Sequence, residues 1–228
     1  LEALFWDFRR LTERDFLFLE EKLLPKEKAQ FSSITDLKRG QEFLASRFLV
    51  RSFLKTTFPD GENQEWNLHP DGKPYFEKGP FFNLSHGNGL VLAAFSARGE
   101  VGVDVQKERE GLAFQKILTR YGHSSEASLS AEEFFKFWAV KECYSKFIGR
   151  GLGPFLKEAR IDFAEDCVLG ATRERLMNFA LFPYEKNWMC VGFDPALNPS
   201  ALKLYQTHFV KGSLKKEPIP PPKKLLPE

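Results

Sequence analysis

Three short stretches of this chain carry side chains whose types and spacing suit phosphate or metal chemistry. They are WAVKECYSKFIGRGL at 138–152, VGVDVQ at 101–106 and NLSH at 83–86. In the first, a helical repeat of about 100° per residue gathers Lys141, Glu142, Ser145, Lys146 and Gly149 into an arc of about 140° around Trp138. Phe137, Val140, Tyr144, Phe147 and Ile148 collect on a separate side. One face suits a core and the other presents an acid flanked by two lysines. Taken alone, the pattern also fits a plain surface pair between Glu142 and Lys146, worth about 0.3–0.5 kcal/mol. Gly149 and Gly151 follow, where glycine permits a left-handed helix stop or a close backbone approach to a ligand.

In VGVDVQ, strand alternation puts Val101, Val103 and Val105 on one face and Gly102, Asp104 and Gln106 on the other. Aspartate is depleted in strands, so Asp104 needs a reason. A wet edge strand supplies one and a hard-cation site supplies another. Mg²⁺ takes one or two carboxylates with substrate phosphates and water, which Asp104 and Glu142 would provide if strand and helix meet. In NLSH, Ser85 and His86 point to opposite sides of a strand, so they form no nucleophilic dyad. Together with backbone N–H groups they suit anion binding instead. His69, His123 and His208 show no zinc-ligand spacing.

The elements that must position these groups are read from periodicity and turn residues. Helical patterns span Arg14 to Leu24 and Thr35 to Phe53, and the second carries the basic residues Lys38, Arg39, Arg47 and Arg51. HPDGKPYF at 69–76 reads as a loop. FFNLS, GLVLAAFS and VGVDVQ read as strands, with ARGE as the turn of a hairpin between the last two. A helix is expected from about Ser130 to Ile148. NWMCVGFD resembles NGLVLAAFS, a faint sign that the second half repeats the β core of the first. The residues at Leu1 and just after read as a processing remnant.

The 228 residues suffice for one large domain or two small lobes, and 24 Phe predict a core packed by rings. Net charge is +2, but residues 211–228 alone contribute +3, so the body offers no basic surface for nucleic acid. The three cysteines, with no C-x-x-C pair, read as reduced thiols of a cytoplasmic protein. No apolar run reaches membrane-spanning length and the N-terminus is not a signal peptide. The ending KKEPIPPPKKLLPE reads as an extended or disordered tail, or a polyproline ligand for another domain.

Taken in order, GKP at 72–74, NLSH at 83–86, GVDVQ at 102–106 and WAVKECYSKFIGRGL at 138–152 resemble the motifs of the Sfp-type 4′-phosphopantetheinyl transferases. The resemblance covers about residues 30 to 195, and the last motif is the most specific. It implies transfer of phosphopantetheine from coenzyme A to a serine of an apo carrier protein, releasing adenosine 3′,5′-bisphosphate. It further implies Mg²⁺ (or Mn²⁺) on Asp104 and Glu142, with Gln106 where bacterial members usually carry Glu. Lys141 and Lys146 would add charge at the diphosphate, and Glu142, or a water it holds, would take the serine proton. Ser85 and His86 would bind the 3′-phosphate, and Gly72, Lys73 and Pro74 would pack beside the adenine. Lys38 and Arg47 match basic positions of the upstream helix.

The implied fold is α+β, two similar α/β lobes in pseudo-twofold arrangement, with coenzyme A between them. The expected divisions are 1–106, 107–210 and the Pro/Lys-rich tail 211–228, in a monomer. A degenerate member that binds coenzyme A or a carrier without catalysis is the rival, and Gln106 is its support.

Overall fold

Turn chemistry and edge availability decide how the strands of this chain combine. The computed structural model describes residues 1–58, 63–164, 167–171 and 175–220. In chain order they form β1 (Glu2–Asp7), α1 (Glu13–Glu21), α2 (Pro25–Ser32), α3 (Leu37–Thr57), β2 (Asn67–Leu68), β3 (Pro74–Tyr75), β4 (Phe81–Gly87), β5 (Leu90–Ser96) and β6 (Val101–Lys107). There follow α4 (Phe114–Tyr121), α5 (Ala131–Ile148), β7 (Arg160–Ala164), β8 (Cys167–Ala171), β9 (Met177–Tyr184), β10 (Asn187–Phe193), β11 (Lys203–Val210) and β12 (Ser213–Ile219).

Two five-stranded sheets result, ordered β12-β11-β1-β5-β4 and β6-β10-β9-β8-β7. The β4–β5 hairpin turns on Asn88 and Gly89, both at positive φ, the two-residue turn that matches strand twist. The hairpin expected through ARGE is not formed. Strand β5 already pairs with β1 on one edge and β4 on the other, so β6 has no edge to join there. It pairs with β10 in the second sheet instead. Strand β6 thus belongs to the sheet of the later strands, and β11 returns to pair in parallel with β1.

Both terminal segments contribute strands. Glu2–Asp7 is an interior strand, with Ala3, Leu4, Phe5 and Trp6 buried. Within the tail, Ser213–Ile219 is a strand paired with β11, which corrects the disordered reading there. Leu214 and Ile219 pack on core clusters, while Lys215, Lys216 and Pro218 are tolerated because β12 lies at a sheet edge. Residues 221–228 lie outside the described residues.

Apolar side chains fill three layers. One lies between the first sheet and α1 and α3, where Phe53 stacks on Phe95 at 3.8 Å. One lies between the two sheets, from Phe5 and Leu92 to Val103, Met189 and Val191. The third lies between the second sheet and α5, around Phe134, Phe137, Tyr144 and Phe147. Helix α5 starts at a capping box of Ser130 and Glu133 and stops at Gly149 with φ 74°, as its sequence predicts. Among the described residues no helix is long and apolar enough to cross a membrane.

Candidate active site

Helix α5 crosses the second sheet over two glycines that face each other, Gly102 of β6 and Gly192 of β10. A Cβ at Gly102 would stand 2.4 Å from the Cys143 carbonyl oxygen and 2.7 Å from the Phe147 nitrogen. One at Gly192 would meet the Met177 side chain first and then the Cys143 sulfur at 2.9 Å. The absence of a methyl group at Gly102 lets the helix backbone lie directly on β6. Asp104, two residues beyond Gly102, thereby comes under Glu142 and Lys146.

Asp104 is 2% exposed. Its Oδ1 accepts from Lys146 Nζ at 2.6 Å and from Ser85 Oγ at 3.2 Å. Its Oδ2 is buried and has no hydrogen-bond partner. Burial, then the charge of Asp104, pushes Glu142 up to about 7, against the pull of Lys146 and a hydrogen bond from Trp138. Burial alone would lower the Lys146 ammonium, but the charges of Asp104 and Glu142 outweigh it and hold it above its ordinary value. Two carboxylates thus lie close together, and the charge of Asp104 helps Glu142 keep its proton.

That donor set fits a hard divalent cation. An uncompensated buried carboxylate oxygen beside a second acid is costly in apolar surroundings and is relieved by a cation. Among the described residues no group of three or more His, Cys, Asp and Glu gathers, so the protein would offer a cation only this pair of carboxylates. Gln106 lies on the same strand face, but its amide donates to the Lys107 carbonyl at 3.0 Å.

The other predicted residues separate into those at this cluster and those away from it. Ser85 is at its centre, also accepting from Lys146 Nζ at 2.8 Å. His86 points the other way and pairs with Glu42 at 3.3 Å; burial holds its pKa below the ordinary value against that pairing. Lys73 reaches the end of α5, donating to the Phe147 carbonyl at 2.8 Å and to Glu100 at 2.6 Å, where a cation suits the helix dipole. Gly72 turns this loop at φ 85°, and Pro74 starts β3. Arg47 lies over the Trp66 ring at 3.6 Å and 3.5 Å from Glu27, and burial lowers its pKa to about 10. Lys38 is exposed near the start of α3.

Lys141 is not at the cluster. It is fully buried and donates to the Leu156 and Ala159 carbonyls, each at 2.5 Å, with Glu126 at 3.4 Å. Burial lowers its pKa to about 8 against the attraction of Glu126. Lys141 lies at the edge of the helix face that carries Glu142, and that edge enters the core under residues 154–159. The structure adds Trp138, which hydrogen-bonds Glu142, Asn83, which holds Val103 N, and Glu42, which pairs with His86. Asn83 had a usable signal, two positions before Ser85 on the same strand face.

The 4′-phosphopantetheinyl transferase superfamily model matches residues 100–189, the segment holding β6 and α5. A 4′-phosphopantetheinyl transferase, gsp, of Aneurinibacillus migulanus is 27% identical over 60% of this chain and 60% of its own length. The 4′-phosphopantetheinyl transferase HetI of a Nostoc species is 30% identical over 53% of this chain and 56% of its own. A human L-aminoadipate-semialdehyde dehydrogenase-phosphopantetheinyl transferase is 22% identical over 89% and 70%. The chain thus spans less than two thirds of the length of these two bacterial relatives. The family model's match takes in the GVDVQ and WAVKECYSKFIGRGL motifs, while GKP and NLSH lie before it.

Proposed function

We propose that this chain, matched by the 4′-phosphopantetheinyl transferase superfamily across its acid pair, transfers 4′-phosphopantetheine from coenzyme A to a serine of an apo carrier protein. The observation that carries this reading is the Asp104–Glu142 pair, with one unpartnered carboxylate oxygen and Lys146 alongside. Coenzyme A lies between two pseudo-twofold α/β lobes of a monomer. The presence of two five-stranded sheets, each covered by a long helix, supports this arrangement.

In the reaction the serine oxygen bonds to the β-phosphorus of coenzyme A. The bond from that phosphorus to the bridging oxygen breaks, and adenosine 3′,5′-bisphosphate leaves. Glu142, with a pKa near 7, suits the base that takes the serine proton, directly or through a water. Lys146 supplies a point charge to the diphosphate oxygens. Mg²⁺ or Mn²⁺ held by Asp104 and Glu142 would neutralise charge developing on the phosphates. Gly72, Lys73 and Pro74 flank the adenine, and His86, Lys38 and Arg47 face the 3′-phosphate end. Lys141 has no part in phosphate binding, since its three donors are spent inside the lobe.

The test mixes the protein with coenzyme A, Mg²⁺ and apo carrier proteins of fatty acid, polyketide and peptide synthases, then weighs the carriers by mass spectrometry. A phosphopantetheine mass gain is expected. Binding of coenzyme A with no gain on any carrier would instead favour a non-catalytic binding module.

A further inference from the structure

Besides the apolar layer between the two sheets, their outer strands β4 and β6 are joined in an unusual way. Strand β4 is the last strand of the first sheet and β6 the first of the second. Among the described residues they exchange no backbone ladder. Val103 and Val105 instead turn their N–H groups toward β4, where side chains receive them. Asn83 Oδ1 accepts from Val103 N at 3.0 Å, and Ser85 Oγ accepts from Val105 N at 3.3 Å. Both side chains are buried, Asn83 at 2% and Ser85 at 6% exposure.

A serine hydroxyl has one proton and two lone pairs. At Ser85 the lone pairs take Val105 N–H and Lys146 Nζ, and the proton goes to Asp104 Oδ1. Asp104 sits between the two valines whose amides are held. Its backbone is therefore gripped on both flanks, and its Oδ1 is fixed by Ser85 and Lys146. That leaves Oδ2 as the oxygen free for a cation.

We propose that Asn83 and Ser85 are positioning residues: their side chains replace a backbone ladder between β4 and β6 and set Asp104 so that one oxygen is presented beside Glu142. Their consequence for catalysis rests on the transferase reading above, but the ladder itself does not. Groups that orient a metal ligand change metal affinity about 10–100-fold when removed.

The experiment uses the full chain, with Asn83→Leu, Ser85→Ala and Ser85→Thr. Amide hydrogen exchange in the unmodified protein should show Val103 and Val105 protected. Asn83→Leu should speed exchange at Val103, Ser85→Ala should speed it at Val105, and Ser85→Thr should restore it. Mg²⁺ titrated in the presence of coenzyme A should bind about 10–100-fold more weakly to Asn83→Leu and Ser85→Ala. Coenzyme A binding measured without metal should stay within about twofold in Asn83→Leu, whose side-chain oxygen is spent on the Val103 amide. Equal loss of metal-free coenzyme A binding and of Mg²⁺ binding in Asn83→Leu would overturn the proposal. Unprotected Val103 and Val105 amides in the unmodified protein would overturn it without any variant. Failure of the unmodified protein to modify any carrier would count against the transferase reading, and the exchange result would still decide the ladder.

Discussion

Gly102 and Gly192 face each other across β6 and β10, and the latter half of helix α5 rests on both. The close seat of the helix on the strand, and with it the approach of the two acids, depends on the missing methyl group at Gly102.

Alanine at Gly102 would meet backbone atoms at 2.4 and 2.7 Å, which cannot swing aside as a flexible side chain can. The helix must lift. Overpacking of this kind costs about 1–3 kcal/mol. Gly102→Ala should lower Tm by several degrees and weaken Mg²⁺ binding together. A thermal melt with and without Mg²⁺ checks both, and unchanged metal stabilisation would separate helix height from the acid pair.

The raised pKa of Glu142 gives a pH dependence of defined sign. Its proton is held up to about 7 in the fold and only to about 4.5 in a free side chain. The stability from the neutral form is full below pH 4.5 and is lost as pH rises through 7. A cation needs the ionised form, so Mg²⁺ affinity should climb across the same interval. Calorimetric titrations from pH 5.5 to 8.5, compared with Glu142→Gln, check this; the variant should show a flat, weak response.

Lys141 and Lys146 should fail differently. Lys141→Met strands two buried carbonyls and Glu126, and breaking a buried pair costs about 3–5 kcal/mol. The expected result is a large fall in Tm with coenzyme A affinity kept in the folded protein. Lys146→Met removes the partner of Asp104 at the mouth of the site, where its side chain is 32% exposed. A smaller fall in Tm with loss of carrier modification should follow.

Ending the chain at Gly212 removes β12, exposing the edge of β11 and taking Leu214 and Ile219 from their clusters. A lower Tm and a tendency to self-associate are expected. Light scattering and a melt of the shortened chain measure them, and an unchanged Tm would show β12 to be dispensable.

The acid pair was legible because helix and strand periodicity each place one carboxylate, and the motif order joins them. Capping at Ser130 and Gly149 fixed the helix ends in the same local way. What was not legible depended on pairings that no local pattern encodes. Asp104 reads as an acid on a strand face, but that β6 turns its spare edge to Asn83 and Ser85 follows only from β5 being paired on both sides. Lys141 lay one helical position from Glu142 on the wheel, and only the path of residues 154–159 beneath it decides that it is internal. The strand from Ser213 to Ile219 has the composition of a solvated tail, and its place is granted by β11.

The parallel pairing of β1 with β11 bears on how the polypeptide acquires its shape during synthesis. Thr207 donates to the Phe5 carbonyl across 202 positions of sequence. The first sheet therefore cannot be completed by the half of the chain that emerges first from the ribosome. Leu4, Phe5 and Trp6 must wait, uncovered on one edge, until the segment after Leu202 arrives. Long-range closure of this kind slows folding and lengthens the exposure of sticky strands. Nascent-chain capture by chaperones should be strongest just before residues 203–210 leave the exit tunnel.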